Sequence, residues 1–296
     1  FVAENQNIST YQIDSKLKHF NIFQENTLRY NFSKKIDVTA NLNFQQSFFK
    51  YNDFSTNIFI LNPSLFLNIK KTGFGNFSLS YSENNTLPEV NQLTSNFQLT
   101  DYRNFSQGTT YNKPLKNQTT TLNYYIYNDE KRFSINTSVY YVNSKSIFNT
   151  ISNLTNDFNF NSYIQTKGSN SYNFNFSFVN YVRKLKLASK IETNNSWITS
   201  PISVNSTEFL NAKSYSNSIK YSGTTYFKSK INFDFGFSYN YFQSNFQGIK
   251  TNNTTKDAFL NINYKISNTI LAESNNSLYY VNNQSYSFNN IVLSYT

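Results

Sequence analysis

Few side chains in this 296-residue chain are of types and spacings that do covalent chemistry. It has one histidine and no cysteine. Thiolate nucleophiles, disulfides and cysteine-ligated metals are therefore excluded. His19 stands without the Ser, Cys or carboxylate pattern of a triad, and without a companion metal ligand. Asp129-Glu130 falls in a tight polar turn and reads as a solvated pair rather than an acid/base dyad. Asp234 and Glu192 lie on the polar side of strand-like runs, where ion pairs with Lys186 or Lys190 are expected. Gly73-Phe74-Gly75 reads as a hairpin turn, not as a phosphate cradle. The sequence thus offers no metal site, no cofactor and no basis for an enzyme. One segment suits recognition: Tyr102, Arg103, Asn104 and Phe105 combine a cation with aromatic rings inside a long polar connection. They are expected to receive substrate or to shape the mouth of the fold. The competing reading is a long loop packing on its neighbours.

The elements that position these residues are strands. In residues 231–241, Ile231, Phe233, Phe235, Phe237, Tyr239 and Tyr241 fall on one face. Asn232, Asp234, Gly236, Ser238 and Asn240 fall on the other, because strand side chains alternate. The same alternation recurs at 36–45, 59–69, 76–82, 122–126, 133–141, 172–178, 185–191, 260–266 and at the end of the chain. Weaker candidates lie at 24–33, 210–227 and 269–282, which makes about thirteen strands. Tight, basic connections (33–36, 70–73, 128–132, 182–185, 227–231, 266–268) alternate with longer polar ones (84–115, 148–159, 198–209, 246–255, 283–286). This rhythm predicts an all-β, antiparallel up-and-down transmembrane β-barrel with lipid on its aromatic face. Residues 1–296 read as a single barrel domain, with 84–115 as a long extracellular loop.

Composition supports a folded, membrane-inserted sheet. Aromatic residues are 19% of the chain, far too many for a disordered one. No run of about 18 apolar residues occurs, so no membrane-spanning helix is predicted, as a strand-built membrane protein requires. The net charge is +10, which invites a nucleic-acid reading. But 12 of the 26 basic residues cluster at the tight turns, among them Lys34, Lys35, Lys70, Lys71, Arg183 and Lys184. They mark one end of an architecture rather than a groove, so nucleic acid is not an expected partner. A soluble sandwich with one buried sheet face is the competing fold; shorter strands and more Val and Gly are expected of it. With no methionine and no secretory signal at Phe1-Val2-Ala3-Glu4, the chain reads as a mature protein or a piece of a longer one.

Residues 79–127 carry a further pattern. Tyr81-Ser82, Pro88, Gln92-Leu93, Tyr102-Arg103-Asn104, Gly108 and Pro114-Leu115 occur in that order. The segment resembles the barrel of TonB-dependent receptors of Bacteroidetes-type bacteria. That resemblance implies a 22-stranded barrel, of which about 13–14 strands are present here. It also implies a plug domain that this chain lacks, through which a periplasmic TonB-type protein couples energy, and a possible surface lipoprotein partner. The implied function is energy-coupled uptake of a metal chelate, glycan or peptide across the outer membrane of a Gram-negative bacterium. The alternatives are a structural, adhesive or envelope-assembly barrel, or a stand-alone passive porin-like channel.

Overall fold

The computed structural model describes residues 17–51, 54–72, 75–87, 92, 97–109, 113–155, 157–204, 208–267, 269–281 and 284–295. Within them the strands are β1 (Leu17–Ser33), β2 (Ile36–Tyr51), β3 (Phe54–Thr72), β4 (Gly75–Thr86), β5 (Phe97–Asp101), β6 (Asn104–Gln107), β7 (Leu115–Asn128), β8 (Phe133–Ser144), β9 (Ser146–Leu154), β10 (Asn159–Lys167), β11 (Asn170–Val182), β12 (Leu187–Val204), β13 (Leu210–Thr225), β14 (Ile231–Phe246), β15 (Ile249–Lys265), β16 (Ile270–Val281) and β17 (Gln284–Tyr295). The fold is all-β. Thirteen strands pair antiparallel in the order β1-β2-β3-β4-β7-β8-β11-β12-β13-β14-β15-β16-β17. This is the up-and-down architecture expected from the alternation. The odd count makes β1 and β17 run in the same direction. Among the described residues, β1 pairs only with β2 and β17 only with β16.

The long connections differ from expectation. Residues 246–255 are not a loop: β14 and β15 are joined at Gln247-Gly248 and pair up to Phe246↔Ile249. Both central residues have positive φ, 54° and 80°, the requirement of a tight hairpin whose twist matches its strands. Residues 198–204 likewise belong to β12, and 148–159 holds most of β9, the turn after it and the first residue of β10. Segment 84–115 contains β5 and β6. These stretches are short, Asn/Ser/Thr-rich or broken by a proline (Pro201), so their alternation is too brief to announce them as strands.

The two excursions meet. β6 pairs in parallel with β10, and β9 pairs briefly in parallel with β12 at Ser203↔Ile151 and Val204↔Ser152. A small sheet, β5-β6-β10-β9, therefore bridges one end of the main sheet. It lies opposite the basic turns, since the chain enters it from Thr86 and Ser144. At the basic end, cations tie neighbouring turns together. Arg183 donates to the Glu130 carbonyl (2.8 Å), Lys230 to the Ile266 carbonyl (3.3 Å), and Arg132 lies over the Tyr181 ring.

Candidate functional site

The polar face is continuous. Asn31, Asp37, Asn68, Ser78, Asn123, Ser138, Asn175, Asn194, Ser218, Asn240 and Thr255 stand partner to partner across eleven strands. Several are bonded across the strands. Asn123 donates to Ser78 (3.3 Å), Asn175 to Ser138 (3.2 Å), Ser218 to Asn240 (2.7 Å) and Asn240 to Thr255 (3.3 Å). Buried Ser238 donates to Asp257. Lys190 pairs with Glu192 at 2.7 Å, as the sequence suggests. Asp234 does not find Lys186 or Lys190. It accepts a hydrogen bond from Asn263 on the adjacent strand (3.0 Å), while Lys186 sits in the β11–β12 turn at a φ of 47°.

The opposite face is apolar and uncovered. Phe237 is 45% exposed, Ile219 45% and Tyr172 51%, whereas Ser238 on the polar face is 7% exposed. Among the described residues only Ile58 and Ile60 are buried hydrophobics, with Leu87 against them. A water-soluble sheet would bury these rings, because apolar area removed from water stabilises a fold by about 25 cal/mol per Å². Here the burial is inverted. From Ile231 to Tyr241 the apolar face runs roughly 34 Å along β14, or about 26 Å at a strand tilt of roughly 40°. That matches the apolar band of outer-membrane strands, about 25 Å tall. At its upper border Tyr141, Tyr172, Trp197 and Tyr215 stand partner to partner. Tyr141 stacks on Tyr172 (4.6 Å), Trp197 packs on Tyr215 (5.2 Å), and Tyr241 adjoins Tyr215 (6.1 Å). Such a row is an interfacial aromatic girdle. Strands cross a membrane only in barrels of the outer-membrane type. The chain's location is therefore the outer membrane, its apolar face against outer-membrane lipid.

The four residues singled out from the sequence divide into two pairs. Tyr102 and Arg103 form the tip of the β5–β6 hairpin. Tyr102 is 78% exposed, and the Arg103 guanidinium lies over its ring at 5.1 Å. Asn104 and Phe105 are structural members of the bridging sheet. Asn159 donates to the Asn104 side chain (3.0 Å) and, through its backbone N–H, to the Arg103 carbonyl (2.8 Å). Phe105 stacks on Phe160 (5.2 Å) and meets Phe158 edge-on (5.8 Å). Asp101, missed at the sequence level, holds the tip. Its carboxylate accepts from the backbone N–H groups of Arg103 (3.0 Å) and Asn104 (3.1 Å) and from the Asn104 side chain (2.6 Å). These bonds, the Arg103 N–H first, hold its carboxyl below the ordinary value of 3.8. The signal was in the sequence: Asp two and three residues before the bonded N–H groups is a turn motif. His19 lies in β1 and Asp129-Glu130 in the β7–β8 turn. Among the described residues no cluster of His, Cys, Asp and Glu suits a metal.

No protein-family model matches the chain, and no curated protein matches it. Solved structures do match. OmpT of Vibrio cholerae, outer-membrane expressed, shares 11% identity over 96% of this chain and 98% of that one, with a TM-score of 0.35. A loop L8 deletion mutant of the same outer membrane protein shares 12% over 95% and 99%, at 0.32. The translocator domain of autotransporter NalP from Neisseria meningitidis shares 8% over 96% and 82%, at 0.25. At such TM-scores the likenesses carry no argument, and the membrane assignment rests on the chain's own two faces.

Two expectations are corrected. The TonB-dependent receptor resemblance does not hold: no family model matches the chain, that of such receptors included. Its motif residues have local explanations. Tyr81-Ser82 lies within β4, and Tyr102-Arg103-Asn104 is the turn that Asp101 caps. Pro88 and Leu93 lie outside the described residues, and Gly108 is followed by Thr109. The plug, the energy-coupling protein and the surface lipoprotein fall with the resemblance. The exclusion of an enzyme is also withdrawn. It rested on missing sequence motifs, yet the sheet sets polar side chains of neighbouring strands against one another in pairs that no motif announces, as with Ser238 and Asp257. The matched OmpT outer-membrane proteins give no ground for that exclusion either.

Proposed function

We propose that this chain is the wall of a passive, water-filled channel across the outer membrane, of the stand-alone porin-like kind. The observation that carries this reading is the unbroken row of amides and hydroxyls, with one carboxylate at Asp37, across eleven strands. Its members bond sideways to one another and keep further donors and acceptors for water, which is what a wetted wall needs. The charges on that face are mixed in sign, with Lys190–Glu192 and Lys70–Asp37 paired. Residues 1–296 act as one barrel domain in this reading. In this reading the β17 edge is covered, because its Tyr286, Phe288, Ile291 and Leu293 come without the charges and prolines that protect an exposed edge. Segment 84–115 and the β9–β10 hairpin stand on the extracellular rim, where Tyr102 and Arg103 meet incoming solute.

The test is reconstitution of the folded chain in planar lipid bilayers. Stepwise, ohmic conductance without any energy source is expected, along with uptake of small neutral sugars by loaded vesicles. A folded, inserted chain without conductance would overturn the channel. It would favour a structural or adhesive barrel that presents the β5-β6-β10-β9 sheet, whose exposed Tyr102 tip is the observation behind that second reading.

A further inference from the structure

Arg29 is the only arginine within a strand of the main sheet; Arg103, Arg132 and Arg183 sit in connections. It alternates with Thr27 and Asn31, so it projects from the polar face. There it lines a recess of about 610 Å³ over β1–β4, toward the basic-turn end. Hydrogen-bonding side chains make up most of the recess wall, Asn31, Asn41, Ser64, Asp37 and Lys70 among them, while Leu65, Phe66 and Tyr81 add apolar surface. Asn41 donates to Ser64 (3.0 Å), and Lys70 pairs with Asp37 at 2.8 Å. The carboxylate in the recess is therefore neutralised. Among the described residues the Arg29 side chain has neither an ion-pair nor a hydrogen-bond partner, which leaves one uncompensated guanidinium facing the recess.

We propose that this recess is a binding subsite for small oxyanions, solutes bearing a phosphate or a carboxylate, in the channel proposed above. A guanidinium offers parallel N–H donors that match two oxygens of such a group. The surrounding amides and hydroxyls supply further donors, and the Lys70 ammonium, its charge balanced by Asp37, offers N–H donors at the recess wall. The subsite gives the wall a local preference for anions on the β1–β4 side. The inference rests on the channel reading for its biological setting, and its test does not depend on current.

The experiment uses the full chain in nanodiscs of zwitterionic lipid, with radiolabelled inorganic phosphate in equilibrium dialysis. Saturable binding is expected in the native chain, with Arg29→Gln weakening it by about tenfold or more, the loss of a charge-assisted contact. Arg29→Lys keeps the charge but loses the fork, and is expected to fall between the two. Succinate added as competitor distinguishes the solutes: displacement marks a carboxylate-accepting site, and none marks a phosphate-restricted one, the oxyanion subsite standing in both cases. Absent saturable phosphate binding in the native chain, or equal binding by native and Arg29→Gln protein of matched strand content, overturns the subsite. In parallel, a salt gradient across a planar bilayer reads the reversal potential. Conductance with binding but without selectivity change on Arg29→Gln places the recess off the permeation path and overturns its role in selectivity. No conductance with retained binding overturns the channel and leaves the subsite standing.

Discussion

Phe237 stands on the apolar face of β14, six residues from Ile231 and four from Tyr241, or about 16 Å and 10 Å after tilt. It is 45% exposed, with Tyr221 and Ala258 as its strand partners. Replacing it with Arg puts a charge near the middle of the hydrocarbon. The expected cost is about 2–4 kcal/mol, or roughly 30- to 700-fold in the unfolding equilibrium. Asn194 sits in the polar row and is exposed, and its side chain has no hydrogen-bond partner among the described residues. Asn194→Arg meets water and is expected to cost under about 0.5 kcal/mol. A soluble sandwich rejects charge at Phe237 too, so a third variant decides. Phe237→Leu in a packed core leaves a void worth on the order of 1 kcal/mol or more. Against fluid lipid there is no fixed cavity, so near-neutrality is expected. The assay is guanidinium unfolding of the chain folded into phosphocholine vesicles, followed by its single tryptophan. Equal losses for Phe237→Arg and Asn194→Arg would refute the two-faced reading, and a large loss for Phe237→Leu would refute lipid contact.

Three further outcomes are expected. Single cysteines, in a chain that has none of its own, should be labelled on intact cells at Tyr102 and spared at Lys184; the reverse pattern would invert the sidedness. Gly248→Val adds a side chain where nothing lies within 4 Å, so only its φ of 80° is strained. It should lower stability by roughly 1–3 kcal/mol, visible as a lower unfolding midpoint without loss of the fold. Because Asp101 has its carboxyl held below 3.8, it favours the folded hairpin above that pH and ceases to do so as pH falls below it. Protection of the Arg103 and Asn104 amides, measured relative to their intrinsic exchange at each pH, should drop on acidification, while in Asp101→Asn it should be low already at neutral pH; unchanged protection would remove Asp101 as the cap.

Legibility in the sequence followed the bilayer. Where a strand lies between lipid and water, as in 231–241 or 172–178, its side chains alternate and its faces can be assigned residue by residue. Where strands continue beyond the apolar band, both faces meet water and the alternation vanishes. Asn252, Asn253, Thr254 and Thr255 look like a loop for that reason, yet they are paired β15 residues. The β9–β10 hairpin is hidden similarly, and its parallel pairings to β6 and β12 join segments about fifty residues apart, beyond any local pattern. Asn232 illustrates a different gap. It looks like one more wetted side chain, but its carboxamide accepts from the Phe227 N–H (2.6 Å) and so closes the β13–β14 turn. Glu192 with Lys190 could be paired from spacing alone, whereas Arg29 gave no sign of standing unpaired in a recess.

The central claim, that lipid covers the aromatic face, is tested most directly by Trp197, the only tryptophan in the chain. It is 44% exposed on the apolar face, in the aromatic row between Tyr172 and Tyr215. In vesicles containing lipids brominated at successive acyl positions, its fluorescence should be blue-shifted. Bromines near the headgroup should quench it most, and aqueous iodide should quench it weakly. Strong iodide quenching with no response to brominated lipid would contradict the account.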